Sequence, residues 1–372
     1  MRFSIFHGLG APGDLANYNQ HMKDAREYAV AAEKYGFWST WYTEHHFGHE
    51  GQELTPNPIM MGVDIAARTS KIRIGQAASI VTFWHPLRLA EDLALLDQLS
   101  DGRLEVGVGR GLYGREALNL NPAADPRDQE KNRALFAETM EILQKAWNNE
   151  FFSHKGEFYE FPAPGVKWSH PLSPATPDFT ENGEITKMAV VPRPLQPELP
   201  LWQVIDTPRS IISAAETGVQ GIFWLPPVSA LKGRFELYRE HASKAQGREV
   251  PLGEGIALVR DVYVADTMEQ AREEFEEAVL NTYKWITHWR GLSNLMEEGE
   301  DLTDEHKLDF DLLMDRNMLV GTPESVTEKI HELKREVGLE HMMLWTTHPG
   351  LKHEKAMRSL ELFSEKVKPH FD

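Results

Sequence analysis

Short hydrophobic runs alternate along the chain with longer segments in which apolar residues recur at every third or fourth position. The short runs are rich in β-branched and aromatic residues, which is typical of strands, and the longer segments have the period of amphipathic helices. The alternation predicts eight strands, each followed by a helix. The predicted strands are residues 2–6, 39–42, 72–80, 104–108, 201–205, 221–224, 254–265 and 341–345.

The predicted helices carry start and stop signals. Residues 18–35 are followed by Gly36, and residues 86–99 begin with Pro86; glycine often ends a helix, and proline is favoured at its first position. The others are residues 58–68, 128–147, 208–217, 229–245, 268–283, 323–336 and 353–367. Eight βα units with right-handed crossovers close into a barrel. The sequence therefore predicts an α/β fold, a (β/α)8 TIM barrel that forms one domain over residues 1–372.

Two segments interrupt this alternation. Residues 151–200 are rich in proline and show little helical period, which predicts an insertion built from hairpins and loops. Residues 289–319 are acidic and contain Gly291 and Gly299. Such a segment is typical of a mobile loop that covers an active site, but a solvated surface loop has the same composition. Both interpretations of residues 289–319 stay open at this point.

The composition excludes several classes of function. The formal net charge is −18, so the surface repels nucleic acids and anionic membranes. The chain has no cysteine, which excludes disulfides, thiolate nucleophiles and cysteine-bound iron–sulfur clusters. It also lacks a secretion-signal pattern and any apolar run long enough to span a bilayer. We expect a cytoplasmic protein that binds neither nucleic acid nor membrane.

The first candidate site follows the second predicted strand, where Glu44, His45, His46 and Phe47 are consecutive. Catalytic groups of a closed barrel lie at the carboxyl ends of its strands. A carboxylate beside two imidazoles can accept a proton and fix a tautomer. A metal site is the competing interpretation, but neighbouring residues of a strand point to opposite sides. The sequence favours a catalytic or cofactor-contacting role over a metal site, and a structural histidine is the third possibility.

The second candidate site is a glycine-rich run after the fourth predicted strand, with Arg110 between Gly109 and Gly111. Glycines allow the backbone to approach an anion, and arginine adds a charge-assisted, bidentate donor. Leu112 stands where a dinucleotide-binding fingerprint requires glycine. A Rossmann site is therefore excluded, while a simple tight turn is not.

The third candidate site follows the fifth predicted strand. Asp206 and Thr207 precede Pro208, and Ser210 lies in the first helical turn. Thr207 occupies the position of an N-cap, and free amides and hydroxyls at a helix N-terminus suit a phosphate. Ordinary helix capping explains the same residues. Together, the three candidate sites favour a phosphate-bearing cofactor above a histidine-rich barrel mouth.

Several of these segments resemble the bacterial luciferase family, and they do so in the same order over nearly the whole chain. One of them begins at Gly36 and ends in Glu44-His45-His46-Phe47, and another is the glycine-rich run around Arg110. The resembling segments are residues 36–47, 76–81, 85–92, 95–103, 107–113, 320–324 and 360–363. We therefore identify the chain as similar to luciferase-like flavin-dependent monooxygenases.

The resemblance implies the cofactor and the reaction. Family members bind FMN in a (β/α)8 barrel, so we expect this chain to use reduced FMN, supplied by a separate flavin reductase. The reduced flavin would activate O2 through a C4a-hydroperoxide and oxidise a small hydrophobic substrate, such as an aldehyde or ketone. Residues matched to the flavin site are Ala77, Ala78, Gly109, Arg110, Leu112, Tyr113, Asp206, Thr207 and Ser210.

The resemblance also assigns individual roles. His45 resembles the histidine required for oxygen chemistry, with Glu44 beside the flavin, and Arg110 resembles the phosphate-binding arginine with Thr207 and Ser210 as its helpers. The Ala77–Ala78 bond resembles a non-proline cis peptide that lines the flavin. Gly109 stands where luciferase carries a reactive cysteine, so no role of that thiol transfers to this chain.

Aromatic residues near strand ends are candidates for the substrate pocket, since such pockets are mostly apolar. His7, at the end of the first strand, is a candidate polar contact. The helices at residues 58–68 and 86–99 resemble the elements that pair across the luciferase subunit interface, so we expect a homodimer. The aromatic candidates are Phe6, Trp41, Trp84, Trp202, Trp224 and Trp345.

Three other functions are compatible with the pattern. The first is an F420-type deazaflavin-dependent dehydrogenase on the same fold, which moves hydride without oxygen. The second is a non-catalytic relative that only binds flavin, and the third is a metal-dependent hydrolase. The Glu44–Phe47 run favours the FMN enzyme over the first, and the presence of both His45 and Arg110 favours it over the second.

Overall fold

A closed barrel of parallel strands forms the centre of the protein. The structure is a computed structural model, and it describes residues 1–297, 299–300 and 308–372. Eight strands pair in the cyclic order β1–β2–β3–β5–β10–β11–β12–β14, and β14 returns to β1. The strands are β1 Arg2–His7, β2 Ser39–Tyr42, β3 Arg73–Gln76, β4 Ser79–Ile80, β5 Leu104–Gly109, β6 His154–Lys155, β7 Glu160–Phe161, β8 Thr180–Glu181, β9 Glu184–Ile185, β10 Leu201–Val204, β11 Gln220–Phe223, β12 Ile256–Val264, β13 Met318–Gly321 and β14 His341–Trp345.

Helices surround the barrel, as the sequence predicts. They pack their apolar faces on the strands, and side chains cap several of them: the Thr207 and Thr322 side chains accept from backbone N–H groups of the turns that follow. No helix of the described residues is long and apolar enough to cross a membrane. The helices are α1 Tyr18–Lys34, α2 Pro58–Ala66, α3 Pro86–Leu99, α4 Gly114–Leu120, α5 Gln129–Asn148, α6 Pro208–Glu216, α7 Val228–Gln246, α8 Met268–Arg290, α9 Phe310–Arg316, α10 Pro323–Val337 and α11 His353–Leu362.

Bulky side chains fill the lower part of the barrel interior. Trp41 of β2 is fully buried, and its ring lies edge-on to the Trp202 ring of β10, with centroids 5.6 Å apart. A Cβ atom on Gly75 would lie only 2.2 Å from the Trp41 ring, so β3 needs glycine there. The barrel is therefore solid below its carboxyl-terminal mouth, and any site must lie at or above the strand ends.

The structure differs from the sequence prediction at several elements. The predicted strand at residues 72–80 is two strands, β3 and β4, separated by a cis peptide bond between Ala77 and Ala78. Helix α8 continues to Arg290 instead of ending at residue 283. Helices α4 and α9 and strand β13 were not predicted, because α4 follows a glycine-rich run and the other two lie in the acidic stretch that was expected to be irregular.

The insertion at residues 151–200 is confirmed as hairpins and loops. It contains the antiparallel pairs β6–β7 and β8–β9. Its last part packs on the outside of α3, where Gln98 Nε2 donates to the Arg193 carbonyl at 2.9 Å. The Asp97 carboxylate accepts from the Leu195 amide at 2.7 Å. The insertion therefore continues along the outer layer of the barrel.

The predicted loop at residues 289–319 is more regular than its composition suggests. Its first residues belong to α8, a short 3-10 helix covers Ser293–Leu295, and α9 and β13 form its end. Strand β13 pairs with the carboxyl half of β12, with Asp261 opposite Met318. Residues 298 and 301–307 of the predicted loop lie outside the described residues. The prediction of an irregular segment over all of residues 289–319 was therefore wrong, and the mobility of this segment stays a prediction.

Candidate active site

A cavity of about 260 Å³ opens at the carboxyl ends of the barrel strands. Each wall comes from a different strand end, since a closed parallel barrel directs all these ends to one mouth. Helix α8 supplies a further wall with Thr282, Trp285 and Ile286. The sequence prediction missed Trp285 and Ile286 because it ended the helix at residue 283, and it did not single out Thr282 within that helix.

Most of the predicted site residues line this one cavity. Arg110, the Thr207–Ser210 turn and His45 come from three separate strand ends, and all of them face the same space. The predicted residues in the lining are Phe6, Glu44, His45, Ala77, Ala78, Gly109, Arg110, Leu112, Tyr113, Asp206, Thr207, Ser210, Trp224 and Trp345.

Three predicted substrate contacts are not part of the described lining, and we correct them here. His7 is fully buried and points away from the barrel interior, since Phe6 before it points inward. Trp202 is the second residue of β10 and lies deep in the barrel, where its Nε1 donates to Glu105 at 2.6 Å. Trp84 Nε1 donates to Glu44 at 3.0 Å from outside the cavity. Trp41, also suggested from the sequence, is barrel core.

One end of the cavity is cationic. Arg110 is partly buried, and its Nη1 donates to Asn132 Oδ1 at 2.7 Å. Burial, followed by the nearby charges of Arg133 and Arg209, lowers the pKa of the Arg110 guanidinium. Glu130 lies between the other two arginines and accepts from Arg133 at 2.8 Å and from Arg209 at 3.1 Å. Three guanidinium groups near a single carboxylate leave a local positive charge on a protein of net charge −18, which suits an anion.

The amino terminus of α6 borders this cationic end. Thr207 caps the helix, and Ser210 Oγ accepts from the Asp206 and Thr207 amides at 3.2 and 3.1 Å. Asp206 is paired with Arg234 at 2.8 Å. The capping that the sequence left as an alternative is therefore present. It also fixes two hydroxyls and the positive end of the helix dipole beside Arg110.

A flat apolar wall follows, formed around the cis peptide between Ala77 and Ala78. A Cβ atom on Gly109 would lie 3.2 Å from the Ala78 Cβ atom, so any side chain at position 109 would crowd this wall. The buried Glu44 carboxylate accepts from the Ile80 amide at 2.9 Å and from Trp84 Nε1. Glu44 therefore holds the segment after the cis bond against β2.

His45 lies between two carboxylates. Its Nε2 is 3.2 Å from Glu53 Oε1, and its Nδ1 is 3.4 Å from Glu116 Oε1. The Glu116 carboxylate also accepts from the His46 amide at 2.7 Å. The His46 ring instead contacts Glu44 at 3.0 Å. The two neighbouring imidazoles thus have different carboxylate partners.

Glu53 is a site residue that the sequence did not reveal. It lines the cavity, contacts His45, and accepts from Tyr113 Oη at 3.2 Å and from Trp285 Nε1 at 3.1 Å. It lies in a loop well past the end of β2, and Trp285 is 232 positions away. No local pattern marks such a residue, because its role depends on contacts between distant parts of the chain.

The end of the cavity away from Arg110 is aromatic. The Trp345 ring lies 5.2 Å from Phe6 and 5.3 Å from Trp224, measured between ring centroids. Trp285 of α8 adds a further indole. Among the residues that the structure describes, no group of three or more His, Asp or Glu side chains could hold a metal ion. The described lining of this cavity offers a cation cluster, an imidazole between carboxylates, and an apolar end.

The fold and the site define a (β/α)8 barrel with a cationic end and an apolar end in one cavity. A model of the luciferase-like monooxygenase family matches residues 1–341. The chain belongs to this family, and the resemblance noted in the sequence is confirmed.

Several relatives match over their full length. The oxygenase component of the flavin-dependent trigonelline monooxygenase of Acinetobacter baylyi is 27% identical, over 100% of this chain and 96% of the relative. The monooxygenase RslO1 of Streptomyces bottropensis has a solved structure with a TM-score of 0.80 and 25% identity, covering 100% of both chains. A third is the type II Baeyer–Villiger oxygenating constituent of 3,6-diketocamphane monooxygenase from Pseudomonas putida, solved with FMN. It has a TM-score of 0.79 and 24% identity and covers 99% of this chain and 98% of its own.

Proposed function

We propose that this protein is the oxygenase component of a two-component, FMN-dependent monooxygenase. It would take reduced FMN from a separate flavin reductase, form a C4a-hydroperoxide with O2, and oxidise a small hydrophobic substrate. The observation that carries the proposal is the single cavity that joins the Arg110 cluster to His45 and the aromatic end. Two relatives, a flavin-dependent monooxygenase component and a Baeyer–Villiger monooxygenase solved with FMN, agree with it.

The lining suits the phosphate and the planar ring of FMN. The phosphate suits Arg110 and the hydroxyls of Thr207 and Ser210, since a partly buried guanidinium and a helix N-terminus both favour an anion. The planar ring suits the wall at Ala77 and Ala78. In that arrangement Leu112 and Tyr113 would cover the flavin from the mouth, and bound flavin would supply the electrons for oxygen activation.

The residues of the chain then have separate tasks. His45 would hold or transfer the proton that the oxygen chemistry requires, because it is the imidazole that lines the cavity between two carboxylates. Glu44 was expected to be catalytic, but its carboxylate is bound by the Ile80 amide, Trp84 and His46. We therefore assign Glu44 a positioning role at the flavin wall.

The aromatic end supports a hydrophobic substrate without naming it. Phe6, Trp224, Trp285 and Trp345 offer stacking surface, and polar groups are few there. The names of two relatives refer to chemically different compounds, trigonelline in one and 3,6-diketocamphane in the other. An aldehyde or ketone stays the proposed substrate class, and Baeyer–Villiger insertion is one of its possible reactions.

Binding of FMN is tested with Arg110. Charge-assisted hydrogen bonds contribute about 1.5–3 kcal/mol each, so R110A should weaken FMN binding roughly tenfold to a hundredfold in a fluorescence titration. R127A is the matched control, since Arg127 pairs with Asp125 and its side chain is 76% exposed. Equal FMN affinity in R110A and the parent protein would contradict the phosphate assignment.

The reaction is tested by mixing the protein and reduced FMN, prepared without oxygen, with oxygenated buffer. We expect a long-lived absorbing flavin–oxygen adduct, and a panel of carbonyl compounds should accelerate its decay and yield oxidised products. The F420-type alternative predicts instead binding of the deazaflavin and no oxygen dependence. A non-catalytic relative would bind FMN without stabilising the adduct.

A further inference from the structure

A second, smaller cavity lies behind the aromatic end of the active-site cavity. It measures about 60 Å³ and is bounded by the segments after β1 and β14 and by α1 and α11. His348 lines this second cavity, and Trp345 lines the active-site cavity. The two rings stack, with centroids 4.2 Å apart. The Trp345–His348 stack is thus part of the wall between the two cavities.

The second cavity is lined by polar atoms that lack a partner. His7 Nδ1 and Thr347 Oγ1 are buried and have no hydrogen-bond partner among the described residues. A cavity needs only about 10–15 Å³ to hold one water, and a water needs two or more polar partners. The volume and the polar lining therefore suit a small group of ordered waters. Burial lowers the pKa of His7 to about 3, so His7 offers a neutral ring to these waters.

His348 connects this cavity to the active site. It is 2% exposed, and its Nδ1 lies 3.3 Å from Thr282 Oγ1, while Thr282 lines the active-site cavity. On its other side, His348 Nε2 lies 2.8 Å from Asp261 Oδ1, but the two atoms are not aligned for a hydrogen bond. Asp261 accepts from Tyr283 Oη at 2.6 Å on its second oxygen. The order of groups is therefore second cavity, His348, Thr282 and active site.

The second cavity also extends toward the surface. His21 and Asp24 of α1 line it, and 29% of the His21 side chain is exposed. Groups that can carry a proton thus line the second cavity from the partly exposed His21 to His348, the residue that contacts Thr282. Flavin oxygenases must exclude bulk water from the active site while protons enter it, and this arrangement separates the two requirements.

We propose that His348 and Thr282, together with waters of the second cavity, form a proton pathway between solvent and the active-site cavity. A water would give its proton to His348 Nε2 and the ring would release one from Nδ1 to Thr282 Oγ1. The Thr282 hydroxyl, which donates to the Ala278 carbonyl in the structure, would turn away from that carbonyl and pass its own proton to an acceptor in the active-site cavity, so that one proton enters and one leaves at each group. The purpose of this pathway rests on the proposed function, but the pathway itself does not require flavin to be measured.

The decisive variant is Thr282→Val, which removes the hydroxyl and keeps the shape. Thr287→Val is the matched control, because Thr287 lies on the same helix and its hydroxyl likewise donates to the carbonyl four residues earlier, at 2.8 Å. With FMN, T282V should lower turnover about tenfold or more and change the solvent deuterium isotope effect. T282S, which restores a hydroxyl, and T287V should behave like the parent protein. Parent-like turnover and isotope effect in T282V would overturn the proposal.

Two measurements on the flavin-free protein decide the pathway independently of the oxygenase activity. A high-resolution crystal structure should show ordered waters between His7 Nδ1, Thr347 Oγ1 and His348, and a dry second cavity would overturn the proposal. NMR of labelled histidine should show that the His348 ring proton exchanges with solvent faster than global unfolding permits. Exchange only through unfolding would also overturn it. If no oxygen adduct forms but these results hold, the proposed function has failed and the pathway has not.

Discussion

His45 has carboxylates next to both ring nitrogens, while Glu44 beside it is bound by donors of the cavity wall. The Glu44-His45-His46 run places both residues correctly at the strand end but cannot distinguish their tasks. That distinction comes from Glu53 and Glu116, which reach His45 from a loop and from α4. The chemistry of a residue thus depends on partners that no local pattern identifies.

At this scale, we predict that His45→Ala keeps FMN binding but loses most turnover. A positioned acid–base group contributes about 10²–10⁴-fold to the rate, and the cationic end that would hold the phosphate does not involve His45. Affinity is measured by flavin fluorescence and turnover by oxygen-dependent product formation. His49→Ala is the control from the same loop, because its side chain is 82% exposed. Parent-like turnover in H45A would remove His45 from the reaction.

The aromatic candidates show where residue-level prediction reaches its limit. Trp224 and Trp345 lie at the carboxyl ends of their strands and line the cavity, whereas Trp202 lies at the beginning of β10 and is core. Position along a strand separates these cases and was available from the sequence. The direction of the His7 side chain was also available, since side chains alternate along a strand. Trp285 was not, because the end of α8 was predicted too early.

Among the elements, α8 links the outer layer to the active site. It supplies Thr282, Trp285 and Ile286 to the cavity, and Trp285 Nε1 donates to Glu53 at 3.1 Å. Glu53 therefore connects α8 with His45 and Tyr113. We infer that Glu53 is a positioning residue whose effect on His45 depends on the helix.

This inference predicts an interaction between Glu53 and Trp285. E53Q and W285F should each lower kcat more than they raise KM, and the double variant should be less impaired than the sum of both effects. Residues in direct contact typically show coupling energies of about 0.5–3 kcal/mol. Tryptophan fluorescence of the flavin-free protein should change in E53Q. E160Q is the control, as Glu160 pairs with the exposed Lys155 at 3.0 Å. Fully additive effects on kcat would show that Trp285 of α8 does not act on the reaction through Glu53.

Most elements follow from periodicity and caps, and the exceptions have physical causes. The barrel strands and the long helices carry strong patterns, so their number and order could be predicted. The break between β3 and β4 depends on a cis peptide between two alanines, which resemblance to a family predicts but hydrophobic period does not. Strand β13 exists because β12 extends beyond its other partners and offers it an edge. Such tertiary pairing leaves little trace in four residues.

For the whole molecule, a buried histidine at the amino-terminal end of the barrel makes the free energy of unfolding fall at acid pH. His341, at the start of β14, is buried, and a hydrogen bond of 2.7 Å joins its Nε2 to Ser4 Oγ. Burial, with a smaller effect of Arg2, lowers the pKa of His341 from 6.5 to about 3. The unfolded chain therefore binds a proton below pH 6.5 that the folded protein does not bind until about pH 3. Stability contributed by the neutral ring is complete above pH 6.5 and falls as the pH decreases toward 3.

We predict that His341→Gln weakens this pH dependence. One proton taken up on unfolding changes the free energy of unfolding by about 1.4 kcal/mol per pH unit, so the slope between pH 6 and pH 4 should fall by up to this amount. Urea unfolding at several pH values measures the slope in both proteins. His370→Gln, at an exposed position, should leave it unchanged. An identical slope in H341Q and the parent protein would mean that His341 titrates normally in the fold.

The outer surface of α2 and α3 is a candidate subunit interface. The two helices pack together, with the Leu96 side chain near Gly62. Their outward faces expose Met60 by 69%, Leu95 by 45% and Leu99 by 53%. An apolar surface shared by adjacent helices is typical of a subunit interface. A homodimer through this surface, as the luciferase resemblance implies, is therefore our proposal for the whole molecule.

Introducing charge on this surface tests the assembly. We expect sedimentation to give twice the chain mass of 42.4 kDa for the parent protein, and the double variant L95E/L99E to give the monomer mass, because a dimer would bury four unpaired carboxylates. Leu172→Glu is the matched control, since Leu172 is 90% exposed in the insertion. A parent protein that sediments at 42.4 kDa would contradict the dimer. A dimer that persists in the double variant would place the interface on another surface. If monomers form and keep FMN affinity, each barrel has a complete flavin site of its own.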